Sequence, residues 1–441
     1  MFKTLKKAWE VKDVRTRILF TLFMVIVVRV GSQIPVPGTD SSVIKEYLAN
    51  LNKEGAFNIF NSFTGNSLES FSILALSITP YITASIIMEL LTVAIPRLEE
   101  LQRSGNDGRK KIAEYTRYAT VVLALIESIA MTIGFGNQGL FSTNNAFYWI
   151  VCVIALTAGS AFLMWVGERI TEKGIGNGIS IVLLVNILSG IPSDFKTLFT
   201  SETFTKINNI PLKVVAIAAA IVLILAILTF TVWLNGAIRK IPVQYAGKIV
   251  GRRVMGGQSS NIPLKILTAS VIPVIFASSI LSIPAMISQF AGGNPGGFWG
   301  TVIGILSPSY WFRAGLPWYY SLGVILYILL IFVFAYFYTS ITFNPTEVAE
   351  NLKKQGGFVP GFRPGKPTSE YLNSVLNVIV FIGATGLSII ALIPIVLTGA
   401  LRIPGSISFL GTSLIIIVGV ILETLQQIEG RMVSREYDSI F

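Results

Sequence analysis

Two stretches of the sequence share one pattern, and this repetition constrains the fold more than any other feature. Residues 77–87 read SITPYITASII and residues 270–280 read SVIPVIFASSI, so six of eleven residues are identical at one offset. Roughly one identity is expected from average composition. Both stretches lie in apolar runs, and each contains a proline, Pro80 or Pro273, that is expected to kink a helix. Paired stretches of this kind indicate a membrane protein with two related halves, and two ordinary kinked helices of similar composition are the alternative.

The composition indicates a polytopic membrane protein. Charged residues make up 13% of the 441 residues, about half their share in a typical soluble domain, and the mean hydropathy is +0.69. Cys152 is the only cysteine, and the chain has no histidine. An intrachain disulfide and a cysteine-cluster metal site are thereby excluded, and the commonest general base is missing. We therefore expect no catalytic residue, no metal site, no cofactor and no enzymatic activity.

Ten apolar stretches have about the length that a helix needs to cross a bilayer. They cover residues 18–34, 73–93, 119–135, 148–166, 179–191, 211–234, 267–290, 321–343, 376–397 and 408–427. The sequence thus predicts an all-α polytopic membrane protein with ten transmembrane helices. The first stretch follows a basic start and lacks a small-residue cleavage site, so we interpret it as a retained span.

Basic residues fall mainly on one side of these spans. If the N-terminus is cytoplasmic, 26 of the 34 Lys and Arg residues lie on the cytoplasmic side. This asymmetry predicts that both termini are cytoplasmic, because an even number of spans returns the chain to its starting side. The predicted parts are an N-terminal half at 1–190, an external hinge loop at 191–210, a C-terminal half at 211–427 with cytoplasmic loops at 235–265 and 344–375, and a cytoplasmic tail at 428–441.

Three segments between the spans are unusual. The loops at 235–265 and 344–375 are long and rich in Gly, Pro and Arg, which favours a docking role over simple positive anchors. Residues 57–71, FNIFNSFTGNSLESF, lie on the outer side and are too short and polar to span. A re-entrant half-helix enclosed by protein and an interfacial loop are equally compatible with this segment.

Few ionisable residues fall within the spans. Arg29, Glu89 and Glu423 lie near predicted membrane edges, so we expect them to reach the interface. Glu127 lies deeper in its predicted span, which contains no basic partner for it. This position indicates polar neighbouring side chains at a helix interface. The GIGNG sequence at 174–178 lacks the Lys-Ser/Thr of a phosphate-binding loop, so a tight turn into the fifth span is expected there.

Several motifs, taken together, resemble the SecY family of protein-translocase channel subunits, which includes the alpha subunit of the eukaryotic Sec channel. They follow the family's order over almost the full length: ITPYITASII, TEKGIGNGISI, GRRVMGGQSSNIPLKI, VIPVIFASSI, FNPTEVAENLKKQGGFVPGFRPG and GTSLIIIV. The resemblance implies two inverted five-helix halves around an hourglass pore. It also implies a lateral gate formed by the second and seventh helices.

The resemblance further implies roles for individual residues. The hydrophobic pore ring would comprise Ile78, Ile82, Leu183, Ile187, Ile275 and Ile416, with Leu183 replacing the family's usual isoleucine. The polar seam of the gate would comprise Thr83, Glu127 and Ser279. Residues 57–71 would be the plug, with Phe60, Phe63, Leu68 and Phe71 as its apolar side chains. Contacts with a motor or the ribosome would involve Arg252, Arg253 and Arg363.

The implied function is that of a protein-conducting channel in the bacterial plasma (inner) membrane. Such a channel passes unfolded secretory polypeptides across the membrane and releases signal sequences and transmembrane segments laterally into the lipid. The implied partners are the SecE and SecG subunits, the SecA ATPase motor, the ribosome, signal peptides, translocating chains and membrane lipids. No nucleic-acid specificity is expected beyond ribosome docking.

Two other classes of membrane protein were compared with the channel. A secondary transporter also uses inverted repeats and broken helices, but it needs charged or polar ligands at the midplane, whereas the candidate pore positions here are aliphatic. A structural membrane scaffold would leave the long basic loops unexplained. A probe at Ile275 that crosslinks to a stalled secretory precursor would distinguish the three.

Overall fold

The structure, a computed structural model, consists mainly of long helices. It describes residues 9–40, 64–65, 67–68, 70–136, 139, 141, 145–200, 210–245, 248–250, 253–255, 259–290, 297–312, 317–401 and 410–438. The ten long helices in these ranges are α1 (Lys12–Gly31), α2 (Thr79–Ala94), α3 (Asn106–Gly136), α4 (Ala146–Lys173), α5 (Gly178–Thr200), α6 (Ile210–Gly236), α7 (Ile272–Phe290), α8 (Leu322–Thr342), α9 (Lys366–Leu401) and α10 (Leu410–Asp438). Each overlaps one predicted span, in order.

Six of the helices in the described ranges, α3, α4, α6, α8, α9 and α10, are long and apolar enough to cross a membrane by themselves. The helix α2 and the short helix Pro96–Arg103 form a seventh candidate, bent by 105°. In α5 and α7 the apolar helical parts are shorter, Gly178–Pro192 and Ile272–Ala285. Turns occupy the beginning of the seventh predicted span, and α7 begins at Ile272.

The two repeated stretches share an uncommon backbone conformation. Ser77 and Ser270, which are equivalent in the repeat, have φ angles of 54° and 52°, a left-handed conformation that non-glycine residues rarely adopt. The turn before each helix contains mostly buried or half-buried residues, as non-helical backbone at membrane depth requires. Pro80 and Pro273 are the second residues of α2 and α7. The predicted kink is therefore wrong, because a first-turn proline begins a helix without losing a hydrogen bond.

The helices pack in the same pairs in both halves. In the first half α2 packs on α3, α3 on α4, and α4 on α5, and α1 contacts α4 and α5. In the second half α7 packs on α8, α8 on α9, and α9 on α10, and α6 contacts α9 and α10. Since each half has an odd number of helices, the second half enters the membrane from the opposite side. The halves meet where α10 contacts α5 and α1, and where α7 contacts α3.

A β-sheet joins the two long loops, which was not predicted. Strands β1 (Ile238–Tyr245) and β4 (Ser259–Lys265) form an antiparallel ladder, and β5 (Gly357–Phe358) adds to β1 at Gln244 and Tyr245. Between them, β2 (Lys248–Val250) and β3 (Arg253–Met255) form a separate two-stranded pair. Residues alternate between buried and exposed at the end of β1, as in a sheet that is covered on one face.

Several predicted boundaries differ from the structure. The predicted hinge loop begins at residue 191, but α5 continues through Pro192 to Thr200 and α6 begins at Ile210. In the predicted tail, the described residues 428–438 extend α10. The predicted loop at 344–375 contains the helix Pro345–Lys354, strand β5 and the first turns of α9. Polar helical turns outside a membrane carry no hydropathy signal, so hydropathy alone ends these helices too early.

Candidate functional site

The six side chains of the predicted pore ring lie in one buried hydrophobic cluster. Their exposed fractions range from 1% to 8%, and the cluster contains Ile78, Ile82, Leu183, Ile187, Ile275 and Ile416. They come from α2 and the turn before it, α5, α7 and α10, and thus from both halves. In α5 the two members are four positions apart, so they lie on one face of the helix.

A buried hydrogen bond connects two segments of this cluster. The Nδ2 of Asn186 donates to the Oγ of Ser77 at 3.0 Å, and both residues are nearly inaccessible to solvent. Asn186 precedes Ile187, and Ser77 precedes Ile78. The bond therefore fixes α5 against the left-handed turn that begins the repeat. The sequence analysis did not identify Asn186, although an amide within a short apolar span was the available signal.

The described part of the predicted plug packs against the end of α3 and the beginning of α4. Leu68 and Phe71 are completely buried in a second hydrophobic cluster, which contains residues of α3 and α4. The rings of Phe71 and Phe135 meet edge to face, with centroids 5.7 Å apart. These two side chains therefore attach the end of the segment to the first half. Phe60 and Phe63 lie outside the described residues.

The same segment also contacts α5 beside the ring cluster. Ser189 donates a hydrogen bond to the backbone oxygen of Gly65 at 3.2 Å. Gly65 has a φ angle of 62°, and a Cβ there would lie 2.8 Å from the backbone oxygen of Asn186. Glycine is required at this position for both conformation and space. The segment and α5 are thus in direct backbone contact one residue away from Ile187.

The predicted gate residues lie on three helices near the junction of the halves. Thr83 in α2 and Ser279 in α7 are half-buried, and α7 packs against α3, which carries Glu127. The hydroxyl of Thr83 donates to the backbone oxygen of Thr79 at 3.1 Å. In the part of the chain that the structure describes, no hydrogen bond joins Thr83 to Ser279, so the polar seam that we predicted is not formed by that pair.

Among the described residues of the predicted spans, three ionisable side chains have buried polar atoms without hydrogen-bond partners. These atoms are one carboxylate oxygen each of Glu89 and Glu127, and one guanidinium nitrogen of Arg29. For Glu127 the unpaired atom is one of the two carboxylate oxygens, and the polar neighbours expected for this residue stay a prediction. No cluster of three or more metal-ligating side chains occurs among the residues with described coordinates.

The predicted docking residues lie in the two loops that the sheet brings together. Arg363 is exposed in the turn after β5, and its backbone oxygen accepts a hydrogen bond from the hydroxyl of Thr368 at 2.8 Å. Beside it, the ring of Phe362 stacks on Tyr371 with centroids 4.1 Å apart. Arg253 begins β3, and Arg252 lies outside the described residues. Two contacts with the beginning of α9 therefore hold the turn that presents Arg363: the hydrogen bond from Thr368 and the stacking of Phe362 on Tyr371.

Sequence comparison identifies the family of this fold. The family model described as SecY matches residues 72–425. The chain is 41% identical to a protein translocase subunit SecY of Halalkalibacterium halodurans, with 99% of each chain covered. The chain belongs to the SecY family. It is also 41% identical to the Escherichia coli SecY subunit, covering 97% of this chain and 94% of that protein.

Structural comparison agrees with the SecY assignment at the level of fold. A solved structure described as a protein-conducting channel is similar with a TM-score of 0.66 at 17% identity, covering 95% of this chain and 93% of that one. Sec61 in a canine ribosome-channel complex from the endoplasmic reticulum is similar with a TM-score of 0.62, also at 17% identity, with 95% and 93% covered. The predicted helical channel architecture is confirmed.

Membership of the SecY family determines the general function. The chain is a multi-pass membrane protein and the protein-conducting channel subunit of a translocase. The SecY family consists of channel subunits rather than enzymes, and the secondary-transporter alternative is not favoured by these relatives.

Proposed function

We propose that the buried cluster around Ile78, Ile187, Ile275 and Ile416 is the constriction of the channel. The supporting observation is that aliphatic side chains from both halves, distant in sequence, meet in one dry cluster. Bulky apolar side chains exclude water from a constriction and so oppose ion leak. They also offer no fixed polar partner to a passing chain, so an unfolded polypeptide can slide between them.

We infer that α7 moves away from the first half to let a signal sequence reach the lipid. Among the described contacts between the halves, α7 packs on α3, the helix that carries Glu127. One carboxylate oxygen of Glu127 is buried without a hydrogen-bond partner among the described residues. Such a group is costly within a membrane, which favours a contact that can open. Thr83 and Ser279 would line the opened seam.

We propose that residues 57–71 close the constriction from the outer side. Leu68 and Phe71 attach the end of the segment to α3 and α4, while Gly65 contacts α5 next to the ring. This arrangement tethers the described end of the segment beside the constriction. In a similar solved structure, the plug domain of SecY is described as stabilising the closed state of the channel.

We propose that the joined cytoplasmic loops form a docking platform. The shared sheet joins the loop at 235–265, which contains Arg253, to the loop at 344–375, which contains Arg363, so one partner could contact both loops. Arginine suits carboxylate and phosphate groups because its guanidinium forms paired hydrogen bonds. SecA and the ribosome are the proposed partners here, and SecE and SecG are proposed as further subunits.

The charge distribution supports a location in the bacterial plasma membrane with both termini in the cytoplasm. The basic residues concentrate at the ends of the helices that also carry the sheet, as expected for the cytoplasmic side. The bacterial proteins to which this chain is similar are translocase subunits.

The proposed constriction is tested with a photocrosslinking amino acid at Ile275. We expect it to crosslink to a secretory precursor stalled during translocation, because the precursor must pass this side chain. Val333, which is exposed on α8, is the control position and should give no precursor adduct. Equal adducts at both positions, or none at Ile275, would contradict the proposed path.

The proposed platform predicts the effect of reversing the charge of Arg363. Arg363→Glu should block translocation almost completely. The channel should remain folded and inserted, because the side chain of Arg363 is exposed. Lys354→Glu, an equal charge change at an exposed position on the neighbouring helix, should retain most activity. Precursor transport into vesicles is the measurement, and normal transport by Arg363→Glu would refute the assignment.

A further inference from the structure

The segment between α7 and α8 has an unusual composition. Its 24 residues at 298–321 contain eight aromatic residues, about a third, whereas the whole chain has 11%. Arg313 is the only charged residue in the segment. A connection bathed in water would be polar and charged, whereas aromatic, weakly charged segments are typical of the membrane interface.

The structure divides the aromatic side chains of this segment into buried and exposed sets. Trp311 is 1% exposed, and its indole nitrogen donates to the backbone oxygen of Ile305 at 2.7 Å. In contrast, Phe298, Trp299 and Trp318 are 75%, 66% and 78% exposed. Three large aromatic side chains facing outward from one short segment form an apolar surface that is unfavourable in water.

The buried Trp311 packs the described parts of the segment against α8. Trp311 packs against Tyr327 of α8, with ring centroids 5.7 Å apart. Gly323 allows this close approach, because a Cβ there would lie 1.9 Å from the backbone oxygen of Ile305. The short helix Phe298–Leu306 also packs on both α7 and α8. The exposed aromatic residues are therefore held in fixed positions relative to these two helices.

The chain geometry places the exposed side chains near the membrane surface. The segment follows α7 and leads into α8, and the 3-10 helix Trp318–Ser321 directly precedes Leu322, the first residue of α8. Trp318 is thus about 6 Å along the axis from the start of a membrane-spanning helix. The helix Phe298–Leu306, with nine residues, is too short to cross a bilayer, a length that suits a position along the membrane surface.

We propose that the segment is an anchor in the outer leaflet, with Phe298, Trp299 and Trp318 inserted at the level of the lipid headgroups. The proposed ligand is the lipid interface itself, because indole combines a large apolar ring with one hydrogen-bond donor and therefore favours this region. Since the segment is packed on α7 and α8, the anchor sets the depth of α7, the helix that carries Ile275 and Ser279.

The proposal is tested by the fluorescence of full-length protein in vesicles of phosphatidylethanolamine and phosphatidylglycerol. One variant retains only Trp299 and another only Trp318, and the remaining tryptophans of the seven in the chain are replaced by Phe. We expect bromine near the headgroup to quench both variants roughly twofold more strongly than bromine at the chain ends, because indole prefers the interface. Aqueous iodide should have little effect.

The variant that retains only Trp311 is the matched control, because this side chain belongs to the same segment but is buried in protein. We expect weak quenching of this variant by both bromine and iodide.

If the multiple replacements prevent folding, the single variants Trp299→Phe and Trp318→Phe should each remove part of the bromine-quenchable emission of the otherwise unchanged protein. Strong quenching of Trp299 and Trp318 by iodide would overturn the proposal, because the segment would then lie in water. Protection from both reagents would overturn it as well, since protein would then cover the surface.

Discussion

Replacing Ile416 by Asn is expected to make the closed channel leak ions. Ile416 is 1% exposed within the ring cluster, so the change removes a buried aliphatic side chain and introduces an amide without a partner. These two effects cost roughly 3–6 kcal/mol in a dry cluster. Water that enters the constriction hydrates the amide and recovers part of this cost. The substitution therefore favours the hydrated, open state over the closed one.

The size of the effect follows from the energy difference between the two states. Each 1.4 kcal/mol in favour of the open state raises its population about tenfold while that population is small. We therefore expect at least a tenfold increase in ion conductance of vesicles containing Ile416→Asn, together with export of precursors that have defective signal sequences. Conductance across the vesicle membrane and precursor export are the measurements.

The matched control is Ile428→Asn on the same helix. Ile428 is 5% exposed, but it lies in a different cluster with Val14 and Ile175. This substitution introduces the same amide into a similarly dry environment without access to the constriction. It should lower thermal stability and leave conductance unchanged. A similar leak in both variants would mean that general loosening of α10 is responsible, and the ring assignment would fail.

Joining α2 to α7 by a disulfide is expected to abolish secretion. The variant carries Thr83→Cys and Ser279→Cys in a Cys152→Ser background, so that no other thiol is present. Serine suits that site, because the hydroxyl of Thr132 contacts the sulfur of Cys152 at 3.3 Å and can instead bond to a hydroxyl. The free energy gained when a signal sequence moves into lipid can separate non-covalent contacts between the halves. It cannot break a covalent bond between them.

Secretion by the oxidised variant should fall close to zero, and a reductant should restore it. The control crosslink lies within the first half, where the hydroxyls of Ser128 in α3 and Thr157 in α4 are 2.8 Å apart. Cysteines at these two positions should form a disulfide without effect on secretion, because both helices belong to the same half. Full secretion with the α2–α7 disulfide intact would show that the gate need not open. Failure of the first pair to crosslink would show that these residues do not face each other.

Local sequence patterns predicted the helices well and the loops poorly. Apolar runs of about 20 residues identify spans because lipid excludes unpaired backbone groups, and all ten predicted spans overlap a helix. The strands β1 and β4 were missed because their apolar positions are few: Ile241, Val243 and Leu264 provide most of the buried face. Their partner β5 lies about a hundred positions further along the chain, and no local pattern reports such a pairing.

The candidate site was predicted partly from the residues and mostly through the family resemblance. The repeat identified the stretches that contain Ile78, Ile82 and Ile275, because a shared pattern survives in the sequence itself. No repeated pattern identifies Leu183, Ile187 and Ile416. An aliphatic residue that faces a pore cannot be distinguished in an apolar run from one that faces lipid. Asn186 was missed for a related reason, because its partner Ser77 is 109 positions away.

The sequence by itself determined the membrane class, the ten spans and the relation between the halves, and it predicts the orientation. Each of these depends on hydropathy, charge or repetition along the chain, and such properties are additive over neighbouring residues. Only the tertiary structure decided that six aliphatic side chains meet in one cluster, that Pro80 and Pro273 begin helices rather than kink them, and that the two basic loops share a sheet. These outcomes depend on which distant segments pack together, and the free energy of that packing belongs to the folded chain as a whole.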